Sequence, residues 1–198
     1  MIIFKYARWK NFLSTGNQFI EIQLDKSPTT LIVGENGAGK STILDVLCFG
    51  LFGKPFRGIN KAQLVNSINN SSTIIEIEFT IGTRNYKVVR GIKPNKFEIY
   101  QNDKMMNLEA NVRDYQKILE QQILKLNYRS FTQVVILGSS TFVPFMQLKA
   151  RHRREVVEEI LDIQIFSIMN LLARQKTKEL TEEIREVDYN YDITTEKI

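Results

Sequence analysis

The chain has 198 residues, of which 43% are hydrophobic and 25% are charged, with one cysteine and one histidine. Such a chain predicts one globular domain with room for a small appendage, and it excludes an intramolecular disulfide and a metal site built on two histidines. The net charge of +5 is compatible with a nucleic-acid partner.

The sequence shows no sign of export or of membrane insertion. The N-terminus lacks the apolar core of a signal peptide, and no apolar run approaches the ~20 residues that cross a bilayer. The one cysteine, Cys48, lies in an apolar run, which predicts a small buried side chain in a reducing compartment. We therefore expect a cytoplasmic protein with no membrane partner.

The first third of the chain predicts strands, a loop and a helix. Residues 19–24 alternate partly between apolar and polar, as in a half-buried strand. Residues 29–33 are β-branched and apolar, which predicts a short buried strand. Residues 40–52 carry an apolar helical run that ends before Gly53.

An antiparallel β region is predicted next. Over residues 73–81 isoleucine and phenylalanine alternate with glutamate and threonine, which is typical of a strand with one wet face. Residues 82–85 form a predicted turn, residues 86–90 the returning strand, and residues 97–100 a further strand.

The last part of the chain is predicted to be mainly helical. Helical spacing predicts a helix over residues 110–127, and residues 131–137 then predict a buried strand. From residue 149 there is no proline or glycine, which predicts one long helix. Its apolar positions follow a heptad-like seam: Leu180, Ile184, Val187, Tyr191, Thr194 and Ile198. This seam predicts the start of a coiled coil, and a single amphipathic helix packed on the domain is the alternative. We expect two parts, residues 1–148 and 149–198.

A phosphate-binding loop is the chemical motif of the chain. Residues 34–41, GENGAGKS, match G-x-x-x-x-G-K-[S/T] without a mismatch. Glycine lets the backbone turn with positive φ and approach a phosphate without a Cβ in the way. The loop N–H groups converge on an anion, and the following helix adds its N-terminal partial charge. The motif therefore predicts a site for the phosphates of ATP or GTP.

The side chains that end the loop complete this predicted site. The Lys40 ammonium can reach the β- and γ-phosphates in a catalytic role, and the Ser41 hydroxyl can coordinate Mg²⁺, which prefers oxygen ligands. Thr42 adds a donor toward the α-phosphate. The predicted nucleotide-binding residues are Asn36, Gly37, Ala38, Gly39, Lys40, Ser41 and Thr42.

Phosphoryl transfer also needs an acid that holds the metal, and the sequence offers no clear one. P-loop ATPases place it at the end of an apolar strand, often as Asp-Glu. Asp45 and Asp162 follow apolar residues, but both lie in predicted helices. We therefore expect this chain to bind nucleotide and to hydrolyse it poorly alone.

Several further segments accompany the loop, which has the subtype G-x-N-G-x-G-K-S. They are KNFLS at residues 10–14, the apolar run at residues 43–53, and residues 135–146 and 153–163. Together they resemble ABC-type ATPases of the SMC class, and in particular the SbcC-type DNA double-strand-break repair ATPases with their phage members. KNFLS resembles the opening of that class, and residues 43–53 its post-loop helix. Residues 135–146 resemble an SbcC-type Q-loop, and residues 153–163 the helix that leads into a coiled-coil arm.

The resemblance implies an α/β fold, the N-terminal lobe of an ABC-type P-loop ATPase head with a mixed sheet and an antiparallel region, followed by the start of a coiled-coil helix. The implied cofactors are ATP and Mg²⁺. The implied partners are a C-terminal lobe that brings the acidic strand, a second copy joined through an ATP sandwich, an SbcD-type nuclease subunit and double-stranded DNA. A phage-encoded protein of this kind would act in the host-cell cytoplasm.

The sequence departs from this family at two positions. Ser139 stands near the place of the Q-loop glutamine, so it is the predicted second catalytic residue and second Mg²⁺ ligand. Leu13 stands where the opening motif usually has arginine.

Basic residues offer candidate DNA contacts. Arg151, Arg153 and Arg154 cluster at the start of the last helix, where they either contact DNA or pair with the neighbouring glutamates on a solvated face. Lys54 and Arg57, after the loop helix, are further candidates.

Two functions remain open at this point. The first is the ATP-binding half of a DNA-repair ATPase head that gates a nuclease and DNA ends. The second is an architectural DNA tether in which nucleotide only controls dimerisation. A third function, the nucleotide-binding half of a transporter, is disfavoured by the heptad-like seam and by the KNFLS opening.

Overall fold

The computed structural model describes residues 1–106, 112–137, 143–161 and 163–196. The chain divides into two compact units, Met1–Leu148 and Lys149–Ile198. The first unit is a six-stranded sheet with helices, and the second is made of two helices.

The sheet of the first unit has the strand order β2-β1-β3-β4-β5-β6, and each neighbouring pair is antiparallel. The strands are β1 (Ile2–Lys10), β2 (Ile20–Gln23), β3 (Thr73–Ile81), β4 (Arg84–Ile92), β5 (Lys96–Gln101) and β6 (Lys104–Met105). The predicted α/β class and antiparallel region are confirmed. Parallel pairing, which a mixed sheet requires, does not occur among the described strands. Strand β1 was not predicted, because its irregular register at Phe4 and Tyr6 interrupts the alternation.

Helix α1 (Thr42–Phe52) covers one face of the sheet and forms the core with it. Its residues are apolar around almost the whole circumference, which is typical of a helix buried on all sides. Ten of its eleven residues are buried, including Cys48, and burial raises the pKa of the Cys48 thiol to about 12. The predicted helix and its end are confirmed, since Gly53 closes it in the left-handed conformation (φ 68°).

Close approach of α1 to the sheet depends on Gly50. A Cβ at this position would collide with the Ile77 side chain and would lie 3.0 Å from Cγ2 of Ile75. The missing side chain therefore sets how closely the helix packs on β3.

The buried side chain of Arg90 on β4 holds the C-terminal end of α1. Its Nε donates to the Gly50 carbonyl at 3.0 Å, and its Nη2 donates to Gln116 Oε1 at 2.7 Å. The guanidinium carbon lies 3.8 Å from the ring centre of Phe97, a cation–π contact. Burial lowers the pKa of Arg90 to about 10, so it stays charged at neutral pH, opposite the negative end of the helix dipole.

The other face of the sheet carries paired charges. Arg8 contacts Glu76 at 2.7 Å, and Lys5 contacts Glu78 at 3.2 Å. Burial alone would raise the pKa of Glu78, but hydrogen bonds from Asn85, Lys5 and Tyr6 outweigh it and lower the pKa. Glu76 and Glu78 are therefore held on the sheet surface by these ion pairs.

Two predicted strands are wrong. Residues 29–33 form no strand, and Leu31 and Val33 are 87% and 80% exposed. An apolar segment still needs a neighbouring strand for its backbone hydrogen bonds, and none pairs with it in the described part of the chain. Residues 131–137 were also predicted as a strand, but helix α3 (Tyr128–Val134) forms there, because the Asn127 side chain caps it by accepting from the Ser130 N–H.

The helix predicted over residues 110–127 is confirmed over residues 112–124, and it ends before the predicted boundary. Helix α2 (Val112–Lys117) continues as a π-helical segment, Ile118–Leu124, and ends at Lys125 with φ 53°. Two short 3₁₀ turns, Lys61–Leu64 and Phe145–Gln147, also belong to the first unit.

The second unit consists of α4 (Ala150–Ile160) and α5 (Gln164–Glu196). The prediction of one unbroken helix is wrong, because the Ile163 N–H donates to the Glu158 carbonyl five residues back and closes a turn. Neither proline nor glycine marks this break. The seam residues Leu180, Ile184, Val187 and Tyr191 are exposed, and the coiled coil stays a prediction. None of the helices in the described ranges has the length and hydropathy of a membrane span.

The variant Gly50→Ala should destabilise the first unit, because the added methyl group forces α1 away from β3. We expect a loss of about 2 kcal/mol, the usual size for overpacking in a core. Thermal and urea unfolding measure the loss. Gly58→Ala is the matched control, since a Cβ there meets no atom within 4 Å. Equal stability of the two variants would contradict the packing argument.

Candidate nucleotide-binding site

The phosphate loop lies between residues 31–34, which form no regular secondary structure, and the first turn of α1. Gly37 and Gly39 have φ values of 91° and 89°, a conformation that favours glycine. The Ala38 N–H donates to the Glu35 carbonyl at 3.2 Å, and the Thr42 N–H donates to the Gly39 carbonyl at 2.9 Å. The loop is therefore a tight turn that leads into the helix N-terminus.

Lys40 lies across this loop. Its Nζ donates to the carbonyls of Gly34 at 2.6 Å and Glu35 at 2.7 Å. Both bonds join an exposed ammonium to backbone oxygens, and such bonds can be exchanged for stronger charge-assisted bonds to phosphate oxygens.

Ser41 and Thr42 begin helix α1. Ser41 occupies the N-cap position, but its exposed side chain makes no capping hydrogen bond. Its hydroxyl is therefore not used by the helix and suits a Mg²⁺ ligand. Thr42 is buried under the loop. The site thus combines positive-φ glycines, backbone donors at a helix N-terminus, an ammonium and a hydroxyl. This combination fits a nucleoside triphosphate with its metal ion.

A cavity of about 560 Å³ opens in front of the loop, which is a usual volume for a small-molecule site. One side is formed by residues of the phosphate loop and by Thr42. The remaining lining residues are Leu13, Ser14, Arg57, Gln63, Val65 and Ser67. Lys40 and Ser41 thus share one cavity with residues distant in sequence.

Arg57 reaches this cavity as part of an ion pair. Its backbone N–H donates to Asp45 Oδ1 at 3.0 Å, and its Nε and Nη2 lie 2.6 and 2.5 Å from Asp45 Oδ2. Asp45 is fully buried in α1, and the Arg57 side chain is 43% exposed. Asp45 therefore fixes the loop after α1 at the edge of the cavity and neutralises the charge of Arg57.

The described residues bring no obvious catalytic acid to the cavity. Asp45 is paired with Arg57, and Glu76 and Glu78 are paired on the sheet. No group of three or more potential metal ligands occurs within the described ranges. Ser139 and Asp162 lie outside the residues that the structure describes.

The other predicted DNA contacts are not among the lining residues of the cavity described above. Lys54 is exposed in the loop after α1. In α4, Arg151 and Arg154 are exposed and Arg153 is half-buried. No ligand contact tests these residues, and their role in binding DNA stays a prediction.

Sequence reasoning did not find two parts of the site. Arg57 was expected to contact DNA, and residues 63–67 were not considered. Each depends on a tertiary partner: Asp45 holds Arg57, and the segment that begins at Asn11 holds residues 63–67 through the bridge between Phe12 and Val65. The KNFLS motif was the one signal for that second segment.

The fold defines a class of protein. It is similar to the Smc head domain of Pyrococcus furiosus, with a TM-score of 0.66 and 22% identity over 95% of this chain and 49% of that chain. The Smc head domain of Pyrococcus yayanosii gives a TM-score of 0.60, over 95% of this chain and 38% of that chain. The predicted ABC-type ATPase head fold is confirmed.

The chain belongs to the AAA domain family, whose model matches residues 8–198. It is 42% identical over 168 residues to exonuclease subunit 2 of Enterobacteria phage T4 and 38% identical over 192 residues to that of Escherichia phage RB69. These alignments cover 85% and 97% of this chain. A probable DNA double-strand break repair Rad50 ATPase of Aquifex aeolicus is 28% identical over 76% of this chain.

These relatives confirm the resemblance to SbcC-type repair ATPases that the motifs indicated. The chain spans 30% and 34% of the lengths of the two phage relatives and 16% of the Aquifex relative. A role as part of an ATPase head follows from the family.

Removing Arg57 should destabilise the first unit, because it leaves the buried Asp45 carboxylate without its cation. For Arg57→Met we expect a loss of about 2 kcal/mol in the free energy of unfolding. This is less than for a fully buried ion pair, because the Arg57 side chain is 43% exposed and its backbone N–H still donates to Asp45. Lys54→Met in the same loop is the control and should change little. Urea unfolding compares the two, and a similar small effect of both would show that the ion pair does not hold the loop.

Proposed function

We propose that this chain binds Mg·ATP and forms the N-terminal lobe of the head of an ATPase that processes or tethers DNA ends. The observation that carries this proposal is the single cavity shared by Lys40, Ser41 and the positive-φ glycines of the loop. The names of the relatives, which include an exonuclease subunit and DNA double-strand break repair ATPases, support the DNA-directed role.

Different residues bind the phosphates and the metal ion. The backbone N–H groups of residues 36–42 receive the phosphates, and Lys40 exchanges the carbonyls of Gly34 and Glu35 for phosphate oxygens. The Ser41 hydroxyl holds Mg²⁺, and we retain Ser139 as a proposed second ligand. When bound, Mg²⁺ neutralises charge on the phosphates.

A C-terminal lobe is the first proposed partner. A second cavity of about 500 Å³ is lined in part by the loop itself, and its apolar lining residues are Trp9, Ile20, Ile22, Ile32, Val33, Ala38 and Ile43. Trp9 is 2% exposed, and its indole N–H has no acceptor among the described residues. A strand laid beside residues 31–33 would cover these side chains, pair with the backbone of residues 31–33 and bring a catalytic acid, which the described residues do not place in the cavity.

The further proposed partners follow from the relatives. They are a second copy that closes an ATP sandwich, an SbcD-type nuclease subunit and double-stranded DNA, in the host-cell cytoplasm. For DNA contact we retain Lys54, Arg151, Arg153 and Arg154, whereas the pairing of Arg57 with Asp45 argues for a place in the nucleotide site. Hydrolysis by this chain alone is expected to be poor.

The variant Lys40→Ala tests the nucleotide site. It removes the ammonium without touching the core, so binding of Mg·ATP should weaken at least about 100-fold, the size expected for lost charge-assisted bonds. Isothermal titration calorimetry measures the affinity, and circular dichroism checks the fold. Lys104→Ala, on the exposed β6, is the control and should bind normally. Unchanged affinity in Lys40→Ala would refute the site.

Hydrogen exchange tests the partner lobe. In the intact protein, the backbone amides of residues 31–33 should exchange as slowly as those of β3, because a neighbouring strand accepts their hydrogen bonds. In the 198-residue chain alone the same amides should exchange fast while β3 stays protected. Fast exchange of residues 31–33 in both samples would exclude a strand partner.

A further inference from the structure

Two chain segments distant in sequence line the same cavity as the phosphate loop. The first includes Leu13 and Ser14, and the second includes Gln63, Val65 and Ser67. They are joined by a β-bridge between Phe12 and Val65 and by the hydrogen bond from the Leu13 N–H to the Leu64 carbonyl at 2.7 Å. We call this pair of segments, residues 12–15 and 63–69, the far wall.

Asn66 ties the two segments of the far wall together. Its Nδ2 donates to the carbonyls of Leu13 and Thr15, both at 3.1 Å. Its Oδ1 accepts from the N–H groups of Ile68 at 3.0 Å and Asn69 at 2.9 Å. The amide thus uses both donors and both acceptor positions, and the residue is 5% exposed.

Asn11 closes the same network from the other end. Its carbonyl accepts from the Asn66 N–H at 2.9 Å and from Thr73 Oγ1 at 2.7 Å. Its side-chain Oδ1 accepts from Asn69 Nδ2 at 2.7 Å. Asn11 is 1% exposed and adopts φ 52°, a conformation that asparagine tolerates better than most residues. A buried network with its members satisfied is rigid.

The far wall and the phosphate loop have different ligand chemistry. The loop offers backbone donors and an ammonium, which suit phosphates. The cavity-lining residues Leu13, Ser14, Val65 and Ser67 offer apolar surface and hydroxyls, which suit a sugar and a base. A nucleotide whose phosphates occupied the loop would place its sugar and base among the other lining residues of this cavity.

We propose that Asn66 is a positioning residue for the nucleoside part of the bound nucleotide, a role that rests on the proposed function. Asn66 does not itself line the cavity. It acts through the carbonyls of Leu13 and Thr15, which fix where the Leu13 and Ser14 side chains stand. Fixing the wall before binding removes the cost of ordering it afterwards.

The variant Asn66→Asp removes the hydrogen bonds to the Leu13 and Thr15 carbonyls and keeps those from the Ile68 and Asn69 N–H groups. A carboxylate keeps the acceptors for Ile68 and Asn69, but it loses both donors and turns lone pairs toward the carbonyls of Leu13 and Thr15. The loss should therefore loosen residues 12–15 and leave residues 34–42 in place. We expect the affinity for Mg·ATP to fall about ten-fold and the affinity for Mg·tripolyphosphate, which has no nucleoside, to stay within about two-fold.

Calorimetric titration with these two probes is the test, made on the full chain. Asn70→Asp is the matched control: it makes the same substitution in the same loop, at an exposed residue that does not line the cavity. It should bind both probes like the unmodified chain. Leu13→Ala truncates one side chain of the far wall and leaves Asn11 and Asn66 in place. It should show the same selective loss of ATP affinity.

The outcomes separate the proposals. Equal weakening of both probes in Asn66→Asp, or no weakening of either, overturns the positioning role. If Asn66→Asp does not fold, undiminished ATP binding by Leu13→Ala overturns it instead. An unmodified chain that binds neither probe refutes the nucleotide site itself, and a chain that binds tripolyphosphate as tightly as ATP refutes only the role of the far wall.

Discussion

The close packing of helix α1 on the antiparallel sheet is the constraint on which the site depends. Gly50 lets the helix approach the isoleucines of β3, and Arg90 neutralises the carbonyl end of the helix from inside the protein. With its axis and C-terminus fixed, the helix presents its N-terminus and the preceding loop at a defined place. A phosphate site made of backbone donors requires this, because backbone groups cannot be re-aimed by a change of rotamer.

The cavity combines two kinds of construction. The phosphate loop is local, since residues 34–42 carry the glycines, the ammonium and the hydroxyl within one turn and one helix start. The opposite side is tertiary: Asp45 holds Arg57, and Asn66 holds the backbone of Leu13. The two sides meet because Asp45 belongs to the helix that follows the loop. Mutations in the tertiary part should therefore change the site without touching its motif.

The exposed apolar residues 31–33 and the lack of a catalytic acid in the described cavity have one common explanation under the proposed function. A strand that covers Trp9 and Val33 would also end beside the phosphate loop, where P-loop ATPases hold the metal-binding acid. The same surface would then complete both the core and the chemistry. An apolar segment that fails to form a strand is thus informative about a partner.

The sequence by itself determined the phosphate loop, the antiparallel region at residues 73–101, helix α1 and the family, because each is encoded by local spacing of glycine, lysine and apolar residues. It failed at residues 29–33 and 131–137, where apolar composition favoured strands. The tertiary structure decided the first of these segments, since a strand needs a hydrogen-bonding neighbour. In the second, the Asn127 cap stabilises a helix through a local contact that apolar composition does not show. The arrangement of the far wall also depends on the tertiary structure, because Asn66 hydrogen-bonds to residues about 50 positions away in the sequence.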